Sequence, residues 1–243
     1  MSVASGTTET LASMAAAEPA SAVRSGELSA RGLYRLGGIS FVVSGILFLL
    51  KYVLETVVGP PPGGPEILAW RASGELPIAL TNEVLFFAAM FLVPAVFALY
   101  HSLASSDRTK AAVGCGIIAV VVPILGLLDI VHGRLVYPIY GMRADTAAVA
   151  AFVVAVYFGG LHFVGLLLSV ATVVLAVAMR HGVLGRTVLY LGIATALFDF
   201  LGAYPEAIGP LLMLVSQVLF AVWFVAVGVK LFRMPTLVAR PIV

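Results

Sequence analysis

Residues Ala147 to Met179 read AAVAAFVVAVYFGGLHFVGLLLSVATVVLAVAM, a run without a single Asp, Glu, Lys or Arg. A helix rises about 1.5 Å per residue, so roughly 20 apolar residues cross about 30 Å of hydrocarbon, and this run exceeds that. A soluble helix would keep a charged face, and a barrel strand would alternate between lipid-facing and lumen-facing side chains. The run does neither, so the bilayer is its solvent. Its surplus length predicts a tilt, a kink near Gly159 and Gly160, or protrusion.

The same pattern recurs on both sides of this stretch, at 36–57, 78–103, 112–137, 187–204 and 208–232, separated by Gly, Pro and charged residues. The expected fold is all-α, a polytopic transmembrane bundle of six helices. Composition agrees: 61% of residues are hydrophobic and 11% charged, against roughly 25% charged in soluble domains. An ordinary soluble enzyme is thereby excluded. The formal charge is only +2 and no basic run is dense enough to neutralise a phosphate backbone, so nucleic acid is not an expected partner. Cys115 stands alone, which excludes an internal disulfide, a multi-cysteine zinc site and a CxxC redox pair.

Residues 1–30 are rich in Ala, Ser, Thr and Glu, with neither a basic n-region nor an apolar h-region, and read as a disordered cytoplasmic tail rather than a cleavable signal. The transmembrane domain is expected over 31–234, with a short cytoplasmic tail at 235–243. Between the first two spans, a PPPGGP stretch at 60–65 precedes Trp70, predicting an interfacial turn or a lid. Pro94 and Pro123 fall mid-span, where membranes tolerate proline if neighbouring groups satisfy the freed carbonyl.

Positively charged flanks stay in the cytoplasm. Arg24, Arg31, Arg35, Arg108, Lys110, Arg180, Arg186, Lys230, Arg233 and Arg240 fall on one side, and only Arg71 and Arg143 on the other. Both termini are therefore expected in the cytoplasm, in a multi-pass protein of the cell membrane.

The stretch Leu161-His162 through Met179-Arg180-His181-Gly182-Val183-Leu184-Gly185-Arg186, followed by Leu191-Gly192 and Asp199, resembles a bacterial family of six-helix integral membrane proteins known only as a domain of unknown function. Arg31-Gly-Leu-Tyr34 and Val227-Gly-Val-Lys230 are similar to that family's two ends. The resemblance covers about 31–232. It implies the six-helix fold and no reaction, ligand or cofactor.

An ionisable side chain at mid-span costs about 2.5–3.5 kcal/mol on insertion scales, so each one is a functional candidate. Given the orientation above, Lys51, Glu55, Glu83, Asp129, His132, Asp199 and Glu206 all fall in the outer half, and His162 near the midplane. The inner half is almost purely apolar. That asymmetry predicts an outward-facing polar cavity over an apolar floor, lined by Lys51, Glu83, Asp129, His132, His162 and Asp199, and argues against a continuous aqueous pore. Lys51 and Glu55 are four apart and can pair on one helix face. Asp129 and His132 are three apart and share a face, a spacing that serves a hydrogen-bonded pair, a ligand site or a shared metal. Arg134 is expected to reach headgroups or a loop acid such as Asp145 or Glu206.

The expected function is binding or transport of a small polar ligand, cation or lipid headgroup. The alternative is an intramembrane enzyme using Asp129 and His132 as an acid–base pair on a lipid or isoprenoid substrate. No motif names a cofactor and no metal is assigned. Membrane lipid is the expected partner, and the sequence is compatible with a homo-oligomer.

Overall fold

The computed structural model describes the backbone of residues 6–181 and 184–238, and the side chains of 31–180, 184–204 and 207–234. Residues 1–5 and 239–243 of the two expected tails, and the side chain of Glu206, lie outside the described residues. Among the described residues the chain is all-helical: α1 (Gly6–Val58), α2 (Glu66–Ser73), α3 (Glu75–His132), α4 (Ala147–Ala178), α5 (Arg186–Gly202) and α6 (Pro205–Val238). The stretches 31–58, 75–135, 147–178 and 207–234 are each long and apolar enough to cross a membrane. Helix α5, with 17 residues, is shorter. Helix α1 starts at Gly6.

The 58-residue α3 is two helical arms. Asp107 has φ −154° and ψ 87°, outside the helical region, and its carboxylate accepts a hydrogen bond from the Lys110 backbone N–H (3.0 Å). Asp107 thus caps the arm that follows it. Asn82 and His132, equally far from Asp107 along the chain, touch across the fold, so the arms return side by side. A loop expected near 104–111 is reduced to one capping residue. Pro94 and Pro123 stay inside the arms.

The helices form a ring in which neighbours in sequence pack together and α6 closes against α1. At the end carrying Arg31, Arg35, Arg108, Arg180 and Arg186, called the basic end here, contact relies on glycine. A Cβ on Gly228 would lie 2.6 Å from the Gly38 carbonyl oxygen, and one on Gly37 would lie 2.1 Å from Ala98 Cβ. Phe41, Phe48, Phe220 and Phe224 interlock, largely edge-on, between α1 and α6. Helix α4 runs unbroken past Gly159 and Gly160. Gly160 admits the Leu128 side chain, so close packing rather than a kink accounts for it.

The opposite end is capped. Helix α2 lies over it, with Ile67 buried against Ile78, Leu135, Val136, Ala144, Ala150, Val153 and Val154. Trp70 Nε1 donates to the Gly59 carbonyl (3.2 Å). Arg71 donates to the Ala144 carbonyl and pairs with Asp145 (3.4 Å), while Arg143 pairs with Glu75 (3.6 Å) and with Asp145 (3.3 Å).

Candidate functional site

One turn beneath the cap, α1, both arms of α3, and α4 each contribute polar groups to a single layer. Lys51 and Glu55 lie one helical turn apart on α1, and Lys51 Nζ donates to Glu55 Oε2 (2.8 Å). Across the bundle Tyr157, fully buried on α4, donates its hydroxyl to Glu55 Oε1 (2.8 Å). The Lys51 ammonium also lies 5.4 Å from the centre of the Tyr157 ring. The other face of the layer belongs to α3. His132 stacks on Tyr157, with centroids 3.8 Å apart and planes inclined by 11°. Its Nδ1–H donates to Asn82 Oδ1 (2.7 Å). That bond fixes the tautomer and leaves Nε2 as the acceptor nitrogen.

Asp129 lies one turn before His132 on the second arm of α3, and Glu83 follows Asn82 on the first. Asp129 Oδ1 is buried with no hydrogen-bond partner, and so is Nδ2 of Asn82. Glu83 is exposed at the bundle edge, where it accepts a hydrogen bond from the Tyr137 hydroxyl (3.0 Å). The layer therefore holds three carboxyl groups, Glu55, Glu83 and Asp129, and one ammonium, Lys51. Among the described residues no ion pair joins Glu83 or Asp129 to a cation. No group of three or more His, Cys, Asp or Glu side chains among the described residues is arranged to share a metal ion.

Apolar groups bound the layer on both sides. Val58, Ile78, Leu135 and Val153 lie about one turn nearer the cap than Glu55, Asn82, His132 and Tyr157 on the same chain segments. Phe48, Leu85, Leu128 and Leu161 lie about one turn nearer the basic end. Lys51, Asn82, His132 and Tyr157 are buried; His132 is hydrogen-bonded to Asn82, and Lys51 and Tyr157 both bond Glu55.

Of the six residues singled out from the sequence, Lys51, Glu83, Asp129 and His132 meet in this layer. The other two sit elsewhere, between α4, α5 and α6. His162 Nδ1–H donates to the Ala203 carbonyl (2.6 Å), and the ring meets Tyr204 edge-on at 5.0 Å. Asp199, buried on α5, accepts a hydrogen bond from Ser216 of α6 (3.0 Å) through Oδ1, while Oδ2 is buried without a partner. Among the described residues no hydrogen bond or ion pair links this pair of sites to the layer. Arg134 bonds its own helix at Ile130 O (3.3 Å), and Asp145 is taken by Arg71 and Arg143 instead.

No family model, curated protein or solved structure matches this chain. The layer's chemistry must be read from its own residues. Glu55, Asn82, Tyr137 and Tyr157 complete it without having been assigned to a site from sequence. The Lys51–Glu55 spacing was a legible signal for Glu55. Asn82 and Tyr157 become visible only when the α3 arms fold back and α4 docks. The arrangement can hold positive charge against Asp129 and Glu83, and it can relay hydrogen bonds from Lys51 through Glu55 to Tyr157.

Proposed function

We propose that this is a six-span protein of the cell membrane, with both termini cytoplasmic and the capped end outside, whose polar layer binds a small cation. Six spans follow when the two arms of α3 are counted separately and α5 is included, in keeping with the resemblance of 31–232 to a six-helix family. The single observation that carries the binding reading is the charge imbalance around Asp129. A buried carboxylate oxygen without a partner sits in a layer that also holds Glu55 and Glu83, and the Lys51 ammonium of that layer is already held by Glu55. Taking a charge into a low-dielectric layer is costly unless it is paired, so an arriving cation gains most where anions are in excess.

The alternative role of Asp129 and His132 as an acid–base pair is less well supported. The imidazole is stacked on Tyr157 and engaged by Asn82, an arrangement that holds the ring still rather than presenting it to a substrate.

Thermal-shift titration of the detergent-purified chain with Na+, K+, ammonium and methylammonium, at constant ionic strength, tests the binding reading. At least one cation should raise the melting temperature of wild type, and the effect should vanish in Asp129→Asn. No cation-specific shift in wild type, or the same shift in Asp129→Asn, would contradict it. Orientation is tested separately: in intact cells an impermeant maleimide should label Arg143→Cys and miss Arg180→Cys.

A further inference from the structure

At the basic end, the junction of α4 and α5 carries an open groove of about 420 Å3 lined by Val177, Arg180, Arg186, Leu189 and Tyr190. We infer that this groove binds an anionic phospholipid, with Arg180 and Arg186 holding the headgroup phosphate and Val177, Leu189 and Tyr190 lying along the start of an acyl chain.

The inference rests on the charge of the groove and on the grading of its walls. Both arginines are exposed, and neither forms an ion pair with a carboxylate among the described residues. By contrast, Lys110 at the same end of the bundle is neutralised by Asp107. The junction itself, residues 179–186, contains no Asp or Glu, so no acidic side chain of the junction opposes the two arginines. A guanidinium matches phosphate geometry through paired N–H donors, and two of them across one groove suit a single phosphate group.

The walls are graded in the sense a lipid requires. On α4, Val177 lies one turn further into the bundle than Arg180, and on α5, Leu189 and Tyr190 lie one turn further in than Arg186. Charge at the rim with apolar surface beneath matches a headgroup over a hydrocarbon chain. Tyr190 is 69% exposed and Val177 40% exposed, so neither the protein core nor a neighbouring helix covers this apolar part. Basic pockets between helices at a membrane surface recognise lipid headgroups in this manner. The inference does not depend on the cation reading, because the groove lies at the other end of the bundle from the polar layer.

Native mass spectrometry of the full chain in detergent provides the test, with phosphatidylglycerol and phosphatidylcholine of identical chains as probes. Wild type should retain one phosphatidylglycerol at least ten-fold more strongly than phosphatidylcholine. The R180Q/R186Q variant, checked by circular dichroism for an unchanged helical spectrum, should lose that preference. The R35Q/R108Q variant removes the same charge at the same end and should keep it to within about two-fold. Val177→Trp fills the groove while retaining both arginines, and should reduce binding by a similar factor to R180Q/R186Q. Equal preference for the two lipids in wild type, equal loss in R35Q/R108Q, or full retention in Val177→Trp would overturn the inference. Displacement of phosphatidylglycerol by millimolar inorganic phosphate would also overturn it, by making the ligand a free oxyanion rather than a lipid.

Discussion

Near the basic end, α1 and α6 meet at Gly38 and Gly228, where the two backbones approach so closely that neither residue could carry a side chain in place. Near the capped end, the same α1 meets its neighbours through Lys51, Glu55 and the Tyr157 hydroxyl. The first kind of contact has one geometry and no alternative partner. A glycine interface is either closed or broken. The second kind consists of groups that can exchange one partner for another, a tyrosine hydroxyl for a ligand or an ammonium for an incoming cation. One bundle thus contains a fixed floor and a layer of exchangeable polar partners, and the difference arises from which side chains the helices place at their crossings.

The largest expected effect lies in the polar half. Lys51→Met leaves the Glu55 carboxylate, most of it out of solvent, with only Tyr157 as a partner, and breaking a buried pair on one side costs about 3–5 kcal/mol. Unfolding of the detergent-purified variant should show that loss, and K51M/E55L should recover most of it, since the stranded charge is then removed as well. A cost below about 1 kcal/mol for Lys51→Met would mean the layer is wet and the contrast between the halves is false. In the fixed half, Gly228→Val should cost about 2–3 kcal/mol by overpacking, with no side-chain substitution on α1 able to restore it fully, because the nearest atom it meets is the Gly38 backbone oxygen.

Tyr157→Phe is expected to cost about 1.5 kcal/mol, the lower range for a hydrogen bond to a charged group. The ring stack on His132 remains in that variant, so the measurement isolates the hydroxyl. Arg71→Gln releases the tie of α2 to the Ala144 carbonyl together with the pair to the exposed Asp145, and should cost about 1 kcal/mol. It should also speed amide exchange across 66–73. The smallest effect belongs to Asp107. Its bonds to the Lys110 side chain and backbone hold its carboxyl below the usual carboxylate value of 3.8. A carboxyl depressed in the folded state stabilises above its unfolded value, and that contribution is lost as pH falls through the folded one. Acid titration of Asp107→Asn should therefore show weaker destabilisation below about pH 4 than wild type, with the two converging at the acid limit.

The existence of the apolar helices was legible because their period and length respond to the bilayer alone. The run over 147–179 reads as a span in isolation, and α4 is found at Ala147–Ala178. The pairing of Lys51 with Glu55 was legible for the same reason, being local to one helix turn. Asp107 was less so: a single capping residue looks like a charged loop until the two arms are seen to return through it. The division of the six candidate residues was not legible at all. Depth along a helix can be counted from the sequence, whereas the face it turns depends on rotation against neighbours. Asp129 and Asp199 share a depth toward the capped end, yet one sits in the layer and the other bonds Ser216 across α5 and α6. The apolar cap was hidden likewise, because Ile67, Ile78 and Val153 become a cluster only after the loop 58–77 folds over α4.

Cation-induced infrared difference spectroscopy on the reconstituted chain tests most directly whether Asp129 is where the layer takes up positive charge. Exchange of an inert large cation for the one that stabilises wild type should perturb carboxylate stretching bands. The perturbation should vanish in Asp129→Asn and persist in Asp199→Asn, whose carboxylate belongs to a separate site. A wild-type spectrum without any carboxylate change, or a change that survives in Asp129→Asn, would contradict the account.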